Sequence, residues 1–543
     1  MNELAYASIE REYNMKQREK FLWIILGLLV FILGACSGTT ENESDQETDE
    51  LILAIGGEPD NGFDPTTGWG RYGSPLFQST LFTYDKDFNI VNDLATSYSL
   101  SDDGLTWTID LRDDVRFSDE EPLTAEDVKF TFETAKTSGS IIDLNNLEEV
   151  KSIDNDTVEF TLKEPESTFI YLLVSTGIVP KHVYDDTYNE NPVGSGPYQL
   201  VQWDKGQQVI VEENPNYYGE KPNFSKLTFL FLSEDAAFAA AKAGEVDVAS
   251  VPPAFANEEV EGMELIELES VDNRGIMFPY VAEGEETADG APIGNDVTAD
   301  KAIRKAINIG VDRQTLVDGV LEGFGTPAYS VADNMPWWNE DTVIEDNDPE
   351  KAKQILEESG WLENESGVRE KDGLPAEFTL LYPAGDQIRQ SLSITFAELM
   401  KPLGIQVKTE GKSWNELENL MYSNPVMMGW GSHDPLEIYN LYSSETRGIG
   451  YYNANYYANP VVDDYLKQAI RATSEEEANK YWKKAQWDGE TGFSSLGDAP
   501  WAWLVNLNHL YFVNANLEIG EQKIQPHGHG WPITDFIEQW HWQ

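Results

Sequence analysis

A mixed α/β fold spread over more than one hydrophobic core is the architecture the 543-residue sequence predicts. Three observations lead there. Short apolar strands alternate with amphipathic helices through most of the chain, the pattern of α/β packing. About 500 residues follow an apolar run near the N-terminus, more than one core organises. Aromatic residues reach 12%, with 16 Trp and 24 Tyr, which is enough to fill such cores and excludes a generally disordered chain.

The apolar run, FLWIILGLLVFILGAC, covers Phe21 to Cys36 and ends on the only cysteine. Lys16, Arg18 and Lys20 precede it, and the polar, acidic stretch SGTTENESDQETDE follows. A basic flank, a short apolar core and small residues at the break are the parts of a secretory signal. As a helix rising about 1.5 Å per residue the run spans ~22 Å, short of the ~30 Å hydrocarbon layer. Leu33-Gly34-Ala35-Cys36 resembles the bacterial lipobox, which implies lipidation at Cys36 and a lipid-anchored mature protein. The alternative is a short uncleaved anchor with an incidental cysteine. Both put the remainder outside the cytoplasmic membrane, tethered to it. Residues 1–35 are thus expected to be a signal peptide, with Met15 as an alternative start, and 36–50 a flexible tether.

The balance of 37 basic to 96 acidic residues gives a net charge of −59. Such a field keeps the protein soluble and argues against nucleic acid or an anionic membrane face as partner. A single cysteine excludes a disulfide within the chain.

Order is expected to begin at the strand Leu51–Ile55, followed by the turn-rich GGEPDNGFDP and then Trp69, Arg71 and Tyr72. A loop after a first strand is a common ligand contact, so Trp69 is a candidate, with core packing as its alternative. Trp107, Ile109 and Leu111 alternate as in a half-buried strand. Thr124 and Asp127 have capping-box spacing ahead of Val128, Phe132 and Ala135, so a helix is expected over about 125–136. Helices at about 299–309 and 313–321 carry apolar stripes, the second with Asp312 as cap. Asp348-Pro349 starts another, because proline at a first helical position loses nothing by lacking its N–H. Next come a strand at Phe378–Tyr382, a helix at Asp386–Lys401 and a strand at Ile405–Val407. Helices at Asp463–Ala472 and Ser474–Trp487 and two strands, Trp501–Val505 and His509–Val513, complete the pattern.

The run LRDDVRFSDEEPLTAEDVKFTFE at 111–133 resembles the signature of the family 5 extracellular solute-binding proteins, which serve ABC importers of peptides and nickel. PVGSGPYQL at 192–200, ENPNYYGEKP at 213–222, GEVDVA at 244–249 and IRKAINIGVDRQTLVDGVLEGFGTPA at 303–328 agree in order and spacing. The resemblance implies a two-lobed periplasmic-binding-protein-like fold (class II, large peptide-binding type) with an extra subdomain in the first lobe. Lobe I is then expected at 51–310 and 500–543, with the inserted subdomain at about 80–190, and lobe II at 311–499. ABC permease subunits are the implied protein partner.

Candidate binding residues cluster late in the chain. The loop Tyr382-Pro383-Ala384-Gly385 lies at the carboxyl end of its strand, where ligands of α/β sheets usually sit, so Tyr382 is a candidate. Arg389, one helical turn on, is either a contact to a ligand carboxylate or an ion pair. A second strand ends in a loop holding Trp430, His433 and Asp434, with Tyr439, Tyr442 and Arg447 beyond. These groups can clasp a polar small molecule by stacking and hydrogen bonding. In dipeptide-binding relatives this strand end supplies an aspartate for the ligand's α-ammonium, and the resemblance assigns that role to Asp434; a helix or turn cap is the alternative. His433 resembles the single histidine that nickel-binding relatives place near this position. His527 and His529 form an H-x-H pair, but two histidines do not complete a metal site.

No G-x-S-x-G, H-E-x-x-H or P-loop is present, and Asp434 and His433, adjacent on a strand end, point apart. No enzyme and no cofactor are expected. The ligand is expected to be a short peptide or, as the alternative, a nickel or other metal chelate.

Overall fold

The computed structural model describes residues 49–139 and 142–543. The signal-like run, Cys36 and most of the expected tether fall outside the described residues.

Two large sheets organise the described chain. The first has seven strands, with Glu50–Ala54 near its middle. That strand runs parallel to Lys226–Leu230 on one side and Val248–Ser250 on the other. Leu51 and Leu53 point into a core shared with Phe229 and Trp531, because alternate residues of a strand share a face. Between Glu50–Ala54 and the edge strand Tyr198–Asp204 the chain builds a subdomain. Its four-stranded sheet is formed by Ala95–Leu100, Thr106–Leu111, Thr157–Leu162 and Leu147–Ser152. The helix Ala125–Thr137 packs on it, and its start carries the predicted capping box, with Thr124 N–H donating to Asp127 Oδ2 at 2.9 Å.

The second sheet has six strands, in the order Gly325–Pro327, Trp501–Leu507, Asn273–Met277, Val426–Trp430, Glu377–Pro383, Gln406–Lys412. Helices Lys301–Gly310, Arg313–Val320 and Gln387–Met400 cover one face. Their inward residues Ile303, Ile307, Leu316 and Phe396 meet Phe378 and Leu504 in one core. Each helix begins at an aspartate, Asp312 being the expected cap: Asp300 accepts from Ala302 N–H and Asp312 from Thr315 N–H, both at 2.9 Å, and Asp386 from Arg389 N–H at 2.8 Å.

The chain crosses between the sheets twice, after Leu268 and after Leu507. Only Asn508 separates Trp501–Leu507 of the second sheet from His509–Asn514 of the first. The crossing therefore lies earlier than the expected residue 310. Asn273–Met277 is paired on both sides by second-sheet strands and is buried at every position, so residues 273–310 pack with the second lobe. Its sequence, NRGIM, neither alternates nor is uniformly apolar, and Arg274 is tolerated there through its pairing with Asp272. The return strand expected at 501–505 likewise belongs to the second sheet.

Candidate functional site

A cavity of about 790 Å³ lies between the first lobe with its subdomain and the second lobe. Three pieces of chain position its central groups.

From the first lobe comes the loop Gly68–Pro75. Asp64 caps the short helical turn Pro65–Thr67 by accepting from Thr66 N–H at 2.9 Å. Gly68 then adopts a φ of 114°, which a side chain would resist. At Gly73 a Cβ would lie 2.8 Å from Pro532 Cα, so only glycine lets the loop approach the C-terminal segment this closely. Trp69 fastens the loop from inside. Its indole N–H donates to Pro75 O at 2.6 Å, and its ring meets Phe63 and Trp531 edge-on at 4.9 and 5.2 Å. Trp69 is thus core, while its neighbour Arg71 lines the cavity.

From the second lobe comes the end of Val426–Trp430. Gly431 has a φ of 145°, and a Cβ there would meet Val271 O at 2.3 Å. The expected loop beyond it holds a helix, Leu436–Tyr442. Asp434 starts that helix by accepting from Leu436 N–H at 2.8 Å, and Pro435 sits at a helical φ of −63°. Glu437 reaches back to accept from Gly431 and Ser432 N–H at 3.3 and 3.1 Å. Asp434 thus holds the turn that starts this helix and also lines the cavity. Burial pushes its carboxyl up to about 7, against the backbone hydrogen bond and Arg71, which lower it. Burial raises Glu437 to about 7 as well. Burial also works against the charge of Arg71, yet Tyr72, Tyr452, Asp434 and Glu437 hold it above its ordinary value.

From the subdomain come Tyr84, Glu166 and Tyr171. Tyr84 O–H donates to His433 O at 3.0 Å, bridging the lobes. Glu166 accepts from Asn146 and Thr168, and burial raises its carboxyl. On the rim, Ser167 N–H and O–H donate to Ile470 O and Ala469 O at 2.7 and 2.8 Å, satisfying carbonyls at the end of helix Pro460–Arg471.

The remaining sequence candidates separate into wall and framework. His433 is on the wall, but its ring is held edge-on by Phe88 at 4.6 Å and Tyr84 at 5.7 Å. Burial, then the charge of Lys523, pushes it well below the ordinary histidine range, so it is neutral. Tyr442 is buried away from the cavity, stacked on Phe493 at 3.6 Å, and its hydroxyl accepts from Trp503 Nε1 at 3.0 Å. Trp430 leans toward Tyr452 at 6.0 Å without lining the cavity. Arg389, expected as a ligand contact or a surface or interlobe ion pair, is instead buried and paired with Asp386 within its own lobe, packing over Trp414 at 6.0 Å. Arg447 is exposed and donates to Ser444 O at 3.0 Å. Tyr382 is half-buried over Gly411. None of these last four borders the cavity. His527 meets Asp272, which also pairs with Arg274 and lies 3.5 Å from His509 Nε2. Among the described residues no group of three His, Cys, Asp or Glu is arranged to hold a metal ion.

Two lobes joined by two crossings, with a polar cavity between them, define a binding protein that encloses its ligand. Residues 89–452 match the family model "Bacterial extracellular solute-binding proteins, family 5 Middle". Protein XP55 of Streptomyces lividans is 34% identical over 496 residues, covering 88% of both chains. The oligopeptide-binding protein AppA of Bacillus subtilis is 27% identical, over 93% of this chain and 96% of the relative. Among solved structures, NikZ from Campylobacter jejuni in complex with Ni(L-His) superposes with a TM-score of 0.76 at 26% identity, over 91% of this chain and 99% of that one. AppA from B. subtilis in complex with a nonapeptide gives 0.69 at 25% identity, with the same coverage. The chain belongs to the family 5 bacterial extracellular solute-binding proteins. It is the extracytoplasmic solute-binding component of an ABC importer, a transport protein rather than an enzyme.

Proposed function

We propose that the ligand is a short peptide, held by its ammonium at Asp434, and that the protein presents it to the permease from a lipid anchor at Cys36. One observation carries the peptide reading. Asp434 stands on the cavity wall with no ion-pair partner among the described residues, its carboxyl raised to about 7 by burial. A ligand ammonium supplies the missing counter-charge, and a charge pair formed in a closed, dry site discriminates strongly against ligands lacking the charge. Glu166 and the phenols of Tyr84 and Tyr171 add acceptors and ring faces nearby. A cavity of about 790 Å³ also exceeds what one small chelate needs. The likeness to the B. subtilis oligopeptide-binding protein agrees with this reading.

The likeness to NikZ with its nickel–histidine ligand supports the competing occupant. Against it stands the setting of His433, the one histidine on the wall among the described residues, whose ring is clamped by two aromatics. Native mass spectrometry of the protein purified from cells separates the two. A ladder of peptide masses is the expected result; a single adduct with a nickel isotope pattern contradicts it.

A further inference from the structure

The cavity wall carries four cationic side chains, Arg71, Lys467, Arg471 and Lys523. Three are already paired: Lys467 with Glu445 at 2.7 Å, Arg471 with Glu164 at 2.6 Å and Lys523 with Asp535 at 2.7 Å. The Arg71 side chain has neither a hydrogen bond nor an ion pair among the described residues, its backbone N–H donating to Gly68 O at 3.3 Å. Its guanidinium carbon lies 5.3 Å from the Tyr72 ring centroid, and its donors are otherwise unmet. This arginine is not on a loose surface segment. The glycines at 68 and 73 and the Trp69 anchor hold its loop in one path. Across the gap stands Asp434, beyond the 4.0 Å of an ion pair yet near enough that each charge favours the other. Both side chains line the same cavity.

We propose that Arg71 is the anion receptor of the cavity and, with Asp434 beside it, selects peptides whose carboxylate lies close to their ammonium. This deepens the peptide reading and rests on it. A guanidinium presents a planar fork that grips a carboxylate through two parallel hydrogen bonds. An extended chain advances about 3.3–3.6 Å per residue, so the C-terminus of a longer peptide is carried away from its ammonium. Two ligand types keep the charges together: peptides with an acidic first residue, and dipeptides with a free C-terminus.

Titration calorimetry on the full-length protein tests this with Glu-Ala-Ala against Gln-Ala-Ala, and Ala-Ala against Ala-Ala-amide. The expected result is at least a tenfold preference for the carboxylate member of each pair. Arg71→Gln is expected to remove that preference, so that the two members of each pair bind it alike. Arg71→Lys, which keeps the charge and loses the fork, retains part of it. Equal binding within both pairs by the parent protein overturns the role of Arg71, whether or not the variants fold, and so does an undiminished preference in Arg71→Gln. Failure of the parent protein to bind any of the four overturns the peptide reading itself, and this proposal with it.

Discussion

Asp272 and Asp434 are both carboxylates withdrawn from bulk water, one at the crossing between the lobes and one on the cavity wall. Asp272 is enclosed by groups of this chain: Arg274, His527 and His509 all converge on it. Burial alone raises its carboxyl, but the charges of Arg274 and His527 and the histidine hydrogen bonds outweigh that and hold it well below the usual range. Asp434 is half-buried on the cavity wall and has no such company. Arg71 acts on it without an ion pair, and its carboxyl rises to about 7. A buried charge that its own chain satisfies is structure; one left facing a cavity across from an unpaired opposite charge is a place for a ligand.

The largest effect that breaks this comparison is at the crossing. Asp272→Ala leaves Arg274 buried without its partner and is expected to cost about 3–5 kcal/mol of folding stability, read by urea denaturation. Asp434→Asn is expected to leave stability intact or improve it, and to weaken binding of a free-ammonium peptide by about 2–5 kcal/mol in calorimetry. Their pH behaviour differs in sign. Asp272, with a folded-state value below its unfolded one, contributes stability that is present above the unfolded carboxylate range and lost as acid approaches the folded value. Asp434, raised to about 7, binds its proton more tightly when folded, so apo stability falls as pH climbs from about 4 to 7. Asp434→Asn is expected to flatten that part of the profile.

Smaller effects sharpen the division between wall and framework. Tyr442→Phe leaves the buried Trp503 N–H without its acceptor and is expected to cost about 1–3 kcal/mol of stability with ligand affinity unchanged. Arg447→Ala, on the exposed surface, is expected to shift both stability and affinity by no more than about 0.5 kcal/mol.

The helices were legible where a capping aspartate preceded a clear apolar stripe, as at Asp348-Pro349, because cap and stripe are local signals. The same Asp-Pro pair at Asp434-Pro435 starts a helix too, but its seven residues carry a mixed face and read as loop. The aspartate on the wall was legible through the motif around it. Tyr442 was not separable from a ligand-stacking phenol, since nothing within several residues of it encodes the distant Phe493 and Trp503. Arg71 was visible only as one of three large side chains among closely spaced glycines. Its unpaired state depends on how three other cations find carboxylates elsewhere on the chain. The crossing at Asn273–Met277 was hidden for a related reason. A strand bearing a buried arginine looks like a surface segment until Asp272 is seen beside it.

The central claim, that the Asp434 carboxylate receives a ligand ammonium, is tested most directly by calorimetry of Ala-Ala-Ala and its N-acetylated form at pH 6 and pH 8. With a carboxyl that titrates near 7 in the empty cavity and is ionised in the complex, the free peptide is expected to bind about fourfold more tightly at pH 8, and to release a proton on binding at the lower pH. The gain of about tenfold from the carboxyl is partly offset at pH 8 by loss of the peptide's own ammonium proton. The acetylated form, with no ammonium, is expected to bind far more weakly at both. Equal affinity for the two forms, with no dependence on pH, would contradict the account.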